Sequence, residues 1–411
     1  MAANIKKNMV YLHLVMYNFD EITDRSGSNA IKVDRLESEF GRKDLMPMWI
    51  ADMDWATPDF IRDALRRRME QPVFGYTHIP DNYFDVVSKW VDGLLGWKVN
   101  PEHIKYIPGI VKGIAFAERC FLGKDDKVII QPPVYHPFRI VTENLGHRYI
   151  ANPLIPVYDS DGFLCDYRMD FDGLEECCRD SQSRMLILSN PHNPGGVCWS
   201  RETLRKVAEI CTEYGVLVIS DEIHGEMAFC DHAPYASVCK EAAMNSISFL
   251  APSKTFNIAG IVSSYCIIPD EKIRDRFFKY IADCEIDCPS IFSIEATLAA
   301  YTKGARWRKE MMEYLRGNID FTEQYLRKNI PQIRGMRPQA SFLVWLDCRK
   351  LGLAQERLVD LFVNGAGLAL NDGTMFGIQG TGFMRMNIGC PRATIEKALE
   401  RLKTAINKLN A

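Results

Sequence analysis

Two apolar runs separated by one amphipathic helix constrain this chain more than any other feature. "RMLILSNP" spans residues 184–191 and "VLVIS" spans 216–220. Between them lies "SRETLRKVAEICTEY" (200–214), in which Leu204, Val207, Ala208 and Cys211 recur at helical spacing. Ser200 is a good N-cap and Gly215 a good stop. Strands apolar throughout, rather than at alternate positions, are covered on both faces. That is the property of a parallel sheet flanked by helices, an α/β fold. "DKVIIQPP" (126–133), "SISFLAP" (246–252) and "GIVSSYCIIP" (260–269) read as further strands of that sheet.

The last third has another texture. Ser293 to Asn329 reads as one or two helices. Then follow "SFLVWLDC" (341–348), a helix near Gln355–Asn364, a strand-like "GFMRMNIGC" (382–390) and a closing helix, Ala393–Leu409. This is the pattern of a smaller α+β domain. With 411 residues, two domains are expected. The spacing places a large α/β domain at 61–292 and the small domain at 293–411, with residues 1–60 returning to pack on the small one.

Composition excludes several classes. Charge is balanced, 50 basic against 53 acidic residues, so neither a nucleic-acid partner nor an acidic tail is expected. No apolar run approaches the ~20 residues of a membrane helix. The opening "MAANIKKNMVYLHLVM" has a short apolar part containing His13 and no cleavage site, so a ragged extension ahead of a start at Met16 is expected, not a signal peptide. The 13 cysteines are odd in number and scattered. Neither Cys177–Cys178 nor Cys284 with Cys288 has a second pair at zinc spacing, so no metal is expected. Reduced, mostly buried thiols in a cytoplasmic protein are expected. "GIQGTG" (377–382) precedes a strand, so it is a loop and not a dinucleotide fingerprint.

In a parallel α/β sheet, ligands sit at the carboxyl ends of the strands. Four strand ends here present Asp221 in "SDEIH", Asn193 in "SNPHNPGG", Lys254 in "APSKTFNIAG" and Tyr135 in "PPVYHPF". Acid, amide, lysine and ring together meet the needs of pyridoxal phosphate. Singly, each has a plainer explanation: a strand-end surface lysine, an acidic cap, a turn residue, a core tyrosine.

These stretches, with "MPMWIADMDWATP", "FGYTHIPD" and "FMRMNIGCPR", run from Met46 to Arg392. Together they resemble the cystathionine β-lyase/cystalysin (MalY/PatB-type) branch of the class I/II aminotransferases, fold-type-I pyridoxal-phosphate enzymes. The resemblance implies an aspartate aminotransferase-like large domain around a mostly parallel, seven-stranded-type sheet. It implies that Lys254 binds the cofactor aldehyde covalently and serves as general base and acid. Asp221 would pair with the pyridinium nitrogen, Asn193 would donate to the phenolic oxygen, and Tyr135 would stack on the ring. Gly109, Ile110 and Val111, opening the helix in "PGIVKGIAFAERC", would hold the phosphate with Ser253. Tyr76 would reach that phosphate from the partner of a homodimer. Arg385, with Asn193 and Ala51, would bind the substrate, the guanidinium gripping its α-carboxylate.

Two departures from the wider aminotransferase pattern matter. His224 stands where tyrosine is typical, which favours the lyase branch. Val262 stands where a phosphate-binding arginine is frequent, which leaves more of the phosphate to Ser253 and the helix amides. The activity implied is β-elimination at carbon–sulfur bonds of a small sulfur amino acid. An aminotransferase on the same residues is the first alternative, and a regulatory protein that binds the cofactor is the second. "WIADMDW" is either an aromatic entrance to the site or part of the core.

Overall fold

A computed structural model describes residues 17–409; the extension discussed above lies almost wholly outside them. Seven strands form the main sheet: β1 (Ile104–Ile107), β2 (Lys127–Ile130), β3 (Arg148–Ala151), β4 (Ser183–Ser189), β5 (Leu217–Asp221), β6 (Ser246–Leu250) and β7 (Ser264–Ile267). Their order across the sheet is β1-β7-β6-β5-β4-β2-β3. The pairs β6–β5–β4–β2–β3 are parallel, and β7 runs against both of its neighbours.

The apolar runs have a direct physical cause. Met185, Ile187 and Ile219 enter one core, together with Ile107, Ile114 and Phe277. Leu186, Leu188 and Val218 enter the other, together with Leu204, Val207 and Cys211. Successive side chains point to opposite faces, and both faces are covered, so most positions are apolar; the buried Ser220, Ser246 and Ser248 hydroxyls all have hydrogen-bond partners.

The helices that matter below are α1 (Asp59–Met69), α2 (Tyr83–Leu95), α3 (Ile110–Phe121), α4 (Arg201–Glu213), α5 (Ile291–Lys303), α6 (Ala305–Asn329) and α7 (Arg392–Leu409). The Ser200 hydroxyl accepts from Thr203 N, as expected of an N-cap, and Gly215 adopts φ +66°. The stretch expected as one or two helices is two, divided at Gly304. That residue packs its backbone against the Phe256 ring. Helix α5 lies against α1 and α2.

A second, four-stranded sheet comprises β8 (Arg334–Met336), β9 (Leu343–Asp347), β10 (Asn371–Asp372) and β11 (Phe383–Asn387), in the order β8-β9-β11-β10 and antiparallel throughout. The segment 46–54 runs along it. Met46–Pro47 pairs with Leu368–Ala369, Asn387 N donates to Met48 O at 2.9 Å, and Asp54 N donates to Gly389 O at 2.8 Å.

One expectation needs revision, and one open alternative is decided. The thiols are not mostly buried: Cys178, Cys211, Cys266, Cys348 and Cys390 are, whereas Cys165, Cys230, Cys284 and Cys288 are exposed and the others half-buried. The exposed ones lie in loops or at a strand edge, where no described residue covers them. The "WIADMDW" rings belong to the core: Trp49 and Trp55 are both buried. Their N–H groups donate to Lys32 O and Phe19 O.

Substituting Gly304→Ala should lower the urea midpoint of unfolding, at a cost of roughly 1–3 kcal/mol, because the added methyl meets the Ala300 carbonyl and the Phe256 ring. An unchanged midpoint would show that the α5–α6 junction has room to spare.

Candidate active site

The carboxyl ends of β4, β5 and β6 converge on one cavity. Its wall contains Asn193 from the turn after β4, Asp221 and His224 from β5 and its continuation, and Lys254 from the turn after β6. Tyr135, from the loop after β2, and Ile110 and Val111, opening α3, complete one side, and Ala51 reaches it from the segment 46–54. Sequence reasoning therefore brought these eight residues to one place. It missed Ser189, Pro191 and Ile223, which also line the wall.

The other candidates stand at its edge. Gly109 is the N-cap of α3, with φ +109° and no side chain to satisfy the helix N–H groups. Ser253, buried, immediately precedes Lys254. Tyr76 stands apart: its side chain is fully exposed, in a stretch 71–78 that is exposed throughout.

Lys254 Nζ donates to Ala51 O at 2.6 Å. Burial pushes the lysine down to about 8; Asp52 and Asp221 resist the shift and Arg385 adds to it. Burial likewise raises Asp221 to about 7, against the Ile223 N–H that bonds its Oδ1 at 3.1 Å and the attraction of Lys254. His224, desolvated and facing two cations, falls to about 3 and is neutral at pH 7. Its Nδ1 is buried with no hydrogen-bond partner among the described residues. Tyr135 is raised by burial.

Asn257, three positions after Lys254, explains the rest of "APSKTFNIAG". It adopts φ +54°, a conformation that asparagine tolerates better than most residues. Its side chain accepts from Met53 N at 3.0 Å and donates to Met53 O at 2.9 Å and Trp55 O at 2.7 Å. The lysine loop is thereby stitched to the segment that carries Ala51.

Arg385, on β11, is buried at 3% exposure. It donates to Asn193 Oδ1 at 3.0 Å, Asn371 Oδ1 at 2.6 Å and Trp49 O at 3.2 Å, and its guanidinium lies 4.8 Å from the Phe376 ring centre. All of these partners are neutral, and its Nε has none among the described residues. Burial lowers it to about 10. A buried cation with no carboxylate bonded to it fits an incoming one. Asn371 and Trp49 left no signal in the sequence, because strand register brings Asn371 to Arg385 and Trp49 serves it through a backbone carbonyl.

The residues present fit pyridoxal 5'-phosphate. An amine shifted toward neutrality, an opposed buried carboxylate, an orphaned histidine nitrogen and an uncapped helix N-terminus share one enclosure.

This constellation sits in a chain that belongs to the aminotransferase class I and II family, whose pattern it matches over residues 44–402. The chain is 40% identical to cystathionine beta-lyase PatB of Bacillus subtilis (strain 168), over 95% of this chain and 100% of that one. Cystalysin from Treponema denticola, which contains a pyridoxal 5'-phosphate cofactor, superposes with a TM-score of 0.90 at 28% identity, over 96% of this chain and 100% of that one. The PLP-bound C-S lyase from Staphylococcus hominis gives a TM-score of 0.86 at 31% identity, over 96% and 99%. The aspartate aminotransferase-like α/β fold expected from the sequence is thus the fold observed.

Because burial pushes its amine down to about 8, Lys254 in cofactor-free protein should be acetylated by trace acetic anhydride, in competition with an internal standard amine, with a rate constant that rises through about pH 8. Exposed lysines should follow at roughly pH 10.4. Peptide mapping across a pH series reads both, and a common midpoint would contradict the desolvation described here.

Proposed function

We propose that this protein is a pyridoxal-phosphate-dependent carbon–sulfur lyase, which with water converts a β-thio amino acid to pyruvate, ammonia and a thiol. The observation that carries the reading is the enclosure shared by Lys254 and Asp221, with the uncompensated Arg385 bonded to Asn193 of its wall. The names of the relatives support the same reaction class.

Pyridoxal 5'-phosphate, when bound, supplies an aldehyde that bonds to amines and a ring that takes up the electron pair left at the substrate Cα. Lys254 Nζ would hold that aldehyde and, as a free amine, would take the Cα proton of the substrate. Its lowered pKa lets the free amine act as a base near neutral pH. Asp221 would hold a proton at the ring nitrogen, and Asn193 Nδ2 is left to donate, because its Oδ1 already accepts from Arg385. Tyr135 and neutral His224 bound the ring. The N–H groups of Ile110 and Val111, with Ser253 and Gly109, receive the phosphate. Arg385 clamps the α-carboxylate, so that the Cα–H bond is presented to Lys254.

The exposed apolar residues Val73 and Phe74 beside Tyr76 support a homodimer in which Tyr76 completes the partner's phosphate site. The 13 cysteines are all free thiols, which supports a reducing compartment, the cytoplasm. No described helix is long and apolar enough to cross a membrane. The division at 61–292 and 293–411, with 1–60 joined to the latter, is supported by the pairing of Met46–Pro47 with Leu368–Ala369. Helix α5 stands at the junction.

Purified protein should release pyruvate from cystathionine with no keto acid present, and turnover that requires a keto-acid acceptor would make it an aminotransferase. Lys254→Ala should abolish release. Arg385→Ala should lower kcat/KM by about a hundredfold or more, mostly through KM. For the shared site, Tyr76→Ala and Lys254→Ala chains, refolded together, should regain up to about one quarter of native activity through mixed dimers. No recovery would place Tyr76 outside the neighbouring site.

A further inference from the structure

Cys198 and Cys230 lie outside the wall of the cavity. Cys198 follows the turn that carries Asn193, and Cys230 ends the stretch that follows His224. Between them crosses the segment 338–341, which leads into β9. Its Gln339 carbonyl is a meeting point, accepting from Phe229 N at 2.8 Å and from Cys198 Sγ and Cys230 Sγ at 3.7 Å each. The shared acceptor holds the two sulfurs as neighbours, and each perturbs the other's ionisation.

The crossing is fixed on both sides. Gln339 N and Ala340 N donate to Gly196 O at 2.9 and 3.1 Å, and Ser341 N donates to Met227 O at 3.1 Å. Cys198 N donates to the Gln339 Oε1 at 3.0 Å. A residue larger than glycine at 196 would put its Cβ 2.7 Å from Pro338 Cβ. The sulfurs therefore face each other over a segment that has no slack.

The two differ in character. Cys230 is exposed and Cys198 half-buried, whereas the other contacting pair, Cys178 and Cys211, is wholly buried. The neighbouring Cys198 thiol draws Cys230 down to about 7. The same contact, with burial, raises Cys198. A solvent-facing sulfur that ionises near neutral pH, with a protonated sulfur against it, has the makings of an attacking and a resolving thiol.

We propose that Cys198 and Cys230 form a reversible disulfide that straps the 338–341 crossing, closed by hydrogen peroxide. The Cys230 thiolate attacks the peroxide; an S–O bond forms, the O–O bond breaks, and the departing hydroxide takes a proton to become water. Cys198 gives up its proton and attacks the Cys230 sulfur; the S–S bond forms and the S–O bond breaks, releasing a second water. Two thiols lose two electrons in all, and one peroxide is reduced to two waters. Dithiol reductants reverse the bond by exchange.

The test treats full-length holoprotein with hydrogen peroxide, alkylates the remaining thiols and maps the peptides. The expected result is a crosslinked Cys198–Cys230 peptide that dithiothreitol abolishes. The strap should raise the thermal midpoint by roughly 5 °C, by restraining the unfolded chain. Cys198→Ser should lose that rise and instead accumulate a Cys230 sulfenic acid trapped by dimedone; Cys230→Ser should show neither the crosslink nor the trapped acid. Full alkylation of both sulfurs after peroxide has oxidised other cysteines, or a Cys178–Cys211 crosslink in their place, would overturn the proposal.

Discussion

Charge held in a dry place without an opposite charge is the constraint on which this site depends. Arg385 is enclosed by amide oxygens, a backbone carbonyl and a ring face, with no carboxylate among its described hydrogen-bond partners. Taking a guanidinium out of water is costly unless its donors are satisfied, so these neutral acceptors are obligatory. They also leave its field unneutralised. That field reaches Lys254 and His224, and with burial it pushes both toward their neutral forms. A carboxylate in place of Asn371 would quench it, and the site would lose its anion trap.

The strongest parts of the fold were legible because burial on both faces writes itself into every residue of a strand. β4, β5 and β6 occupy the middle of the sheet, and their largely apolar, almost wholly buried runs follow from that position. β1 and β3 carried no such signal. They are the two edge strands, and β3 has Arg148, Tyr149 and Ala151 exposed. A one-sided edge demands fewer apolar side chains. β7 read as a strand, but its reversed direction left no mark, since side-chain burial is the same whichever way a strand runs.

The site was legible to a different depth. Lys254, Asp221, Asn193 and Tyr135 come from strand ends, and the geometry of parallel sheets brings strand ends together. Ala51 came from a resemblance and is at the wall, but what it offers, a backbone carbonyl, is invisible in a one-letter code. The same holds for Trp49, which serves Arg385 through its carbonyl. Asn371 meets Arg385 only because β10 pairs with β11 in that register. Contacts made by main chain or by register are properties of the folded arrangement, and no residue type announces them.

The segment 46–54 has a mechanical consequence. Its start is laced through Met46 and Met48 to residues 367–369 and to Asn387 of the small sheet, and its far end is knotted to the lysine loop where Asn257 bonds Met53 and Trp55. Ala51 lies between these two anchorages, so it behaves as a point on a taut cord. Any sliding of one sheet over the other tugs this carbonyl relative to the amine it accepts from. The hold on that amine is thus geared to the relative placement of two bodies that are otherwise far apart along the chain.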